Sequence, residues 1–178
     1  MKRIRVIPVL LLHDGGLVKS LKFKDYKYVG DPVNAVKIFN EKEVDEILLL
    51  DISATVEKRK PGLAHIKEIA SEAFMPLGYG GGITTLEEIK ELIASGVEKV
   101  VLNNAAFETP QLVTEAARYA GSQSVVVSID VKKNLWGKYK VYTKNAKKNT
   151  GKDPVEFAKE MEAAGAGELF INAVDADG

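Results

Sequence analysis

The chain has 178 residues, a length that fits one domain or a small pair of domains, and its 46% hydrophobic content is enough for a core. Lys+Arg and Asp+Glu both number 25, so the formal net charge is +0, which argues against a general nucleic-acid or anionic-membrane surface but leaves room for a local anion pocket. The absence of cysteine excludes a disulfide scaffold and thiolate chemistry, two histidines are too few for a His-rich metal site, and no apolar run reaches the roughly 18 residues of a membrane span, so a cytoplasmic protein with no metal and no cofactor is expected.

Along the chain, apolar runs alternate with amphipathic stretches. Residues 4–12 are β-rich and nearly all apolar, and 19–27 read as a basic, aromatic-interleaved loop able to close over an anionic substrate. Residues 32–40 have helical spacing, 46–50 form the next strand, 63–74 a helix, and 75–79 a short strand that runs into glycines. Residues 85–94 read as a helix with Thr84 as N-cap and Glu87 closing a capping box. Residues 99–102 are a strand, and 110–120 a helix with Thr109 as N-cap and Pro110 at the tolerated first position. Strand 124–129, helix 154–164 and strand 168–174 complete the pattern, with a small hairpin expected within 132–143. Near-continuous apolar strands between helices predict a parallel sheet covered on both faces.

Asp31-Pro32-Val33 returns 122 residues later as Asp153-Pro154-Val155, Lys37 as Lys159, and Glu46-Ile47-Leu48 as Glu168-Leu169-Phe170. A duplicated unit of roughly 120 residues implies an eight-stranded (β/α) barrel of about 250 residues made of two homologous halves. An open doubly wound sheet is the alternative; the repeat favours the barrel. Six strands are countable, so residues 1–178 are expected to form one barrel domain, incomplete at its C-terminus after about strand six and with two unpaired sheet edges.

Several residues can carry chemistry. Tyr79-Gly80-Gly81-Gly82 lies between a strand and a helix, where glycines let a ligand approach the backbone and the helix start offers N–H groups to an anion; a tight turn is the plainer reading. Asn103-Asn104 adds amide donors after the next strand. Asp130 closes an apolar strand at the end that carries catalysis in barrels and can act as general acid or base; Asp51 has the same placement with less support. Arg5, Glu46, Lys99 and Glu168 stand at strand starts with alternating sign. Turned inward they make a salt-bridged ring; turned outward they are exposed strand-entry charges. His13 and Asp14 sit at the mouth of the first strand, and His65 reads as structural.

Taken together, Ile7-Pro8, Asp14-Gly15, Gly30-Asp31-Pro32-Val33, Leu50-Asp51-Ile52, Gly80-Gly81-Gly82-Ile83, Gly121-Ser122-Gln123, Asp130, Asn149-Thr150-Gly151, Gly165-Ala166-Gly167-Glu168 and Asp177-Gly178 resemble the cyclase subunit of imidazole glycerol phosphate synthase, in order and over essentially the whole chain. The resemblance implies a (β/α)8 barrel that takes ammonia from a partner glutaminase and uses it on a bisphosphorylated ribonucleotide at the opposite face. It implies that Arg5, Glu46, Lys99 and Glu168 form the ammonia gate, that Lys19 belongs to the substrate-closing loop, and that Gly81, Gly82, Asn103, Asn104, Asp177 and Gly178 belong to substrate and phosphate binding. Asp130 falls on one of the family's two catalytic aspartates. The other is missing: where the family reads Pro-Cys-Leu-Asp, this chain reads Pro8-Val9-Leu10-Leu11, and leucine transfers no proton. That combination resembles the divergent cyclase-like proteins of surface-polysaccharide loci, which work with a glutaminase and a third protein to convert a sugar N-acetyl group to an acetamidino group. A genuine cyclase subunit of histidine biosynthesis, with Asp14 or His13 standing in, and a non-catalytic glutaminase activator are the alternatives.

Overall fold

The computed structural model describes residues 4–177, so Gly178 lies outside the described residues. In chain order, β1 (Val9–His13), β2 (Gly16–Leu21) and β3 (Lys24–Gly30) precede α1 (Pro32–Glu41) and β4 (Ile47–Asp51). Next come α2 (Ala54–Glu57), α3 (Leu63–Glu72), β5 (Leu77–Gly80), α4 (Leu86–Ala94), β6 (Lys99–Leu102), α5 (Asn104–Glu108) and α6 (Gln111–Ala120). The chain then forms β7 (Val125–Lys133), β8 (Tyr139–Thr143), β9 (Lys148–Asn149), α7 (Pro154–Ala164) and β10 (Glu168–Ala173).

Six strands run parallel in the order β1-β4-β5-β6-β7-β10, the βα alternation of a barrel, with antiparallel hairpins added on β1 and β7. Alternation along these strands sorts the core into two parts. Leu48, Val101 and Val126, with Val9, Leu50 and Phe170, face the sheet's concave side. Ile47, Leu49, Leu77, Val100, Leu102 and Val127 face the helices, where Ile66, Ile89, Leu92 and Phe157 cover them. Gly78 belongs to the first set because a Cβ there would meet Leu48 at 2.4 Å, so glycine leaves the room that Leu48 fills.

β1 begins later than the 4–12 segment expected. Pro8 has no N–H to give a ladder, and its carbonyl only accepts from Leu48. The basic segment 19–27 is not a loop. It belongs to the β2–β3 hairpin, with β2 paired to β1 (Leu11↔Val18, Leu12↔Leu17). Asp14 and Gly15, at φ 49° and 80°, make the two-residue turn that enters it, a turn that matches the twist of the flanking strands. This hairpin covers the upper part of β1, so among the six parallel strands described only β10 has a single strand neighbour, where two open edges were expected, and the hairpin strands β3 and β9 form the outer edges.

The duplicated Asp-Pro pair does the same work in both places. Asp31 accepts from the Asn34 amide at 2.9 Å, and Asp153 from the Val155 and Glu156 amides at 2.9 and 3.3 Å, each with proline just inside the helix. Two other caps differ from expectation. The box on α4 is Thr85 with Glu88, one residue beyond Thr84 and Glu87, because Glu88 is the buried member and must fold back inward. Helix α6 begins after Pro110 with no side-chain cap from Thr109. We expect D153A to cost about 1 kcal/mol in denaturant unfolding, since two first-turn amides lose their acceptor. V155A, at a site 62% exposed, should stay within about 0.5 kcal/mol of the parent.

Candidate functional site

The C-terminal ends of the parallel strands open into a cavity of about 490 Å³, a size suited to a small ligand. Leu11, Gly80, Ser128, Asp130 and Asn172 reach it from the strands, Gly81, Gly82, Asn103 and Asn104 from the turns, and Ser20, Phe23 and Tyr26 from the β2–β3 hairpin.

Among the described residues, Asp130 is the only strand carboxylate there without a structural task. It is 6% exposed, and burial pushes its carboxyl up to about 6, against the pull of the Asn172 and Asn103 amides. Asn172 Nδ2 lies 3.4 Å from Asp130 Oδ1, and β10 brings it there by pairing Asn172 directly with Asp130. Asn103 donates to the Ser128 carbonyl at 3.0 Å. A carboxyl poised near neutrality beside amide donors can take or give a proton at physiological pH. Leu11 lines the same cavity and contributes only apolar surface.

The other acids of the cavity are committed. Asp51, a second catalytic candidate from its sequence position, accepts from the Ser53 amide, the Ser53 hydroxyl and the Ala54 amide at 3.1, 3.0 and 2.9 Å, and pairs with Arg59 at 3.4 Å. It is a buried clamp on the β4–α2 turn. Glu88 accepts from the Thr84 and Thr85 amides at 2.7 and 3.0 Å and from the Thr84 hydroxyl at 3.0 Å. The helix start expected to be an open anion site therefore already holds an anion supplied by the chain. Gly81 and Gly82, at φ 116° and 71°, pack close under the β4–α2 segment, where a Cβ would meet the Asp51 carbonyl at 2.3 Å and the Arg59 carbonyl at 2.4 Å. The Gly82 amide is used by the Thr55 hydroxyl at 3.3 Å.

Of the remaining expected binding residues, Asn103 and Asn104 face the cavity, and the Asn104 side-chain oxygen Oδ1 is buried without a partner among the described residues. Lys19 is exposed on β2 and does not line the cavity. Asp177 is spent on the hairpin: its carboxylate accepts from the Ser20 hydroxyl at 2.7 Å and the Phe23 amide at 2.9 Å, and its carbonyl from the Lys22 amide. His13 sits at the mouth, 3.1 Å from Asp14 and with its ring 5.0 Å from that of Tyr26 at a 39° tilt.

The opposite end of the strands carries the four alternating charges, and they do turn toward one another. Arg5 reaches Glu46 at 3.1 Å and Glu168 at 2.9 Å, and Lys99 reaches Glu46 at 2.7 Å and Glu168 at 2.8 Å. Each cation bridges both acids, closing a four-membered ring. Burial raises the Glu168 carboxyl, but hydrogen bonds from Lys99 and Arg5 outweigh it and hold the group below its ordinary range. The Glu46 side chain is 3% exposed, and its second oxygen is buried without a partner.

A parallel βα sheet with a cavity at the strand C-termini and an ion ring at the N-termini is the arrangement of a (β/α)-barrel protein. The family described as Histidine biosynthesis protein matches residues 5–178. A Pseudomonas aeruginosa protein provisionally named imidazole glycerol phosphate synthase subunit hisF2 is 52% identical over all of this chain and 71% of its own length. A Vibrio vulnificus protein with the provisional name hisF3 is also 52% identical, over 69% of its length, and the HisF subunit of Thermococcus onnurineus is 45% identical over 98% of this chain and 69% of its own. The chain belongs to the histidine biosynthesis protein family and is HisF-like. No helix among the described residues is long and apolar enough to cross a membrane.

Sequence reading missed Asn172, Ser128 and Glu88, which lie inside a strand or helix and show their role only once the register is known. Because the folded Asp130 carboxyl titrates near 6 and the unfolded one near 3.8, ionisation is disfavoured in the fold. The stability of the parent should therefore fall as pH rises from about 4 to about 6 and level off above, by on the order of 3 kcal/mol. D130N should lack that decline and match or exceed the parent at pH about 8; an unchanged slope in D130N would remove the assignment.

Proposed function

We propose that this protein is an ammonia-using synthase subunit that works with a partner glutaminase and acts in glycosyl amidation of surface-polysaccharide sugars. The supporting observation is a combination: the ion ring is complete at one end, while at the other Asp130 faces Leu11 across the cavity instead of a second carboxylate. A glutaminase docked at the ring end would release ammonia against the ring, and neutral ammonia would pass the apolar strand interior of Leu48, Val101 and Val126 to the cavity. Opening requires only one cation to swing aside, since each acid keeps the other as a partner. Lys99, 12% exposed, is the hinge we favour, and Arg5, 46% exposed, would stay with both acids.

At the cavity, Asp130 acts as the single general acid or base, with Asn172 and Asn103 holding its carboxyl and Asn104 offering a further polar group to the substrate. The substrate is an anionic phosphorylated or nucleotide-linked molecule, met by Lys58, Lys60 and Lys144 along the wall. Lys19 and the hairpin would close over it. Ring closure by two opposed carboxylates is not available with Leu11, which favours simple ammonia delivery over the imidazole-forming reaction.

A genuine cyclase subunit is the second reading, carried by the His13–Asp14 pair at the mouth, which could replace the missing carboxylate. Complementation of a histidine auxotroph by the full-length gene separates the two, because growth at the wild-type rate would sink the amidation reading. A subunit that only switches on a glutaminase would stimulate glutamine hydrolysis without binding inorganic phosphate in a titration.

Two variants test the machinery. L11D in the full-length protein should raise ammonia-dependent imidazole-forming activity by about 10²-fold or more if the rest of the site is intact. K99A should leave glutamine hydrolysis running while ammonia escapes, measured as free ammonia per product formed; unchanged coupling would end the gate assignment. At constant free ammonia, turnover that uses Asp130 as base should rise with a midpoint near pH 6, and D130N should lose that step.

A further inference from the structure

We propose that the tip of the β7–β8 hairpin is a docking element for an anionic lipid surface, inserting Leu135 and Trp136 between headgroups. Leu135 is 103% exposed and Trp136 86%, so both stand out as far as they would in an extended peptide. They are not there through disorder. Asn134 Oδ1 accepts from the Trp136 and Lys138 amides at 2.9 and 3.0 Å, the Asn134 amide donates to the Lys138 carbonyl, and Gly137 at φ 72° completes the turn. The fold thus holds two large apolar side chains in water on a built turn, at the cost of their hydration.

The charge around them is one-sided. Residues 131–152 contain eight lysines and no acid. Lys144 and Lys152 pair with Glu108 and Glu160, but Lys132, Lys133, Lys138 and Lys140, which flank the tip on both strands, make no ion pair among the described residues. The Lys133 ammonium lies 5.3 Å from the centre of the Tyr139 ring and the Lys132 ammonium 5.8 Å from that of Tyr142, so aromatic faces, not acids, are what these two cations meet. Lys22 and Lys24 of the neighbouring hairpin line one groove with Lys132 and with Asp25, Asp175 and Asp177, of which Asp175 and Asp177 already accept from backbone amides. An indole and a leucine at the apex of a protrusion, ringed by cations, suit the lipid interface, where tryptophan settles at headgroup depth and lysines meet anionic lipid. A two-residue apex is much smaller than the roughly 800 Å² per partner of a stable protein contact. The hairpin leaves β7 at the Asp130 end, so docking would present the cavity to the lipid surface and leave the ion ring at the other end uncovered.

Trp136 is the sole tryptophan of the sequence, which makes it its own reporter. Full-length protein is mixed with vesicles of phosphatidylcholine alone or with phosphatidylglycerol added, and the emission difference between parent and W136F isolates this residue. The expected result is a blue shift and co-sedimentation with the anionic vesicles only, weakened by salt. A double L135S/W136S variant should lower vesicle partitioning at least tenfold, as should K133E/K138E, with folding checked by unchanged unfolding temperature. No shift on anionic vesicles, equal partitioning by the double variant, or a shift produced instead by purified glutaminase would each overturn the proposal.

Discussion

The two-residue alternation of the parallel strands decides where every functional group in this protein lies. On each strand one set of side chains meets the helices and the other the concave interior, and both sets are apolar through the middle of the sheet. Polar groups are tolerated on the inner face only at its two ends, where partners or water are within reach. At the N-terminal ends that condition produces the ring of Arg5, Glu46, Lys99 and Glu168. At the C-terminal ends it produces Ser128, Asp130 and Asn172. Burial of Glu46 would be prohibitive for a lone carboxylate, and two cations within 3.1 Å make it tolerable.

The same rule explains why the two ends differ in proton affinity. Glu168 has cations beside it and stays ionised, whereas Asp130 has only amides, which donate to the carboxylate but bring no net charge. Its carboxyl rises to about 6 because nothing nearby replaces the water it lost. Leu11 adds to that dryness on the facing wall. A second carboxylate at position 11 would raise the pair further by repulsion; with leucine there, Asp130 meets no like charge from that side.

Most of the parallel framework was legible because its signals are local. Continuous apolar runs marked β4, β6 and β7, and the duplicated Asp-Pro pairs marked α1 and α7. The β2–β3 hairpin was not, although Asp14-Gly15 is a hairpin turn by composition. Its lysines and interleaved aromatics read as a loop, and its far turn sets Lys22 and Phe23 at φ 52° and 60° without a glycine. That strained pair is held by Asp177, 154 residues away from Phe23, a contact no local pattern can announce. The occupant of the helix start after the glycine turn was hidden for a similar reason. Glu88 looks like an ordinary helical glutamate until the fold turns it back onto the Thr84 and Thr85 amides. The charge ring was countable from strand starts, but only the strand register settles that the side chains meet.

A net charge of +0 is an average over regions that differ sharply. Acids are used inward and locally: Asp31 and Asp153 on helix starts, Asp51 and Glu88 on turns, Asp177 on a hairpin, Glu46 and Glu168 in the ring. The ring acids and Asp51 are answered by Arg5, Lys99 and Arg59, while the others are held by N–H and O–H donors that fix them in place without cancelling their charge. Lysines of the two hairpins are placed oppositely, on exposed strands with few acids to answer them. At distances beyond a Debye length the protein is neutral, but within about 10 Å of the hairpin end it is a cation. Chain-average charge therefore argues against an anionic surface partner on grounds that do not hold at that end, because residues 131–152 carry eight lysines and no acid, and the acids that cancel them in the sum stand elsewhere on the chain.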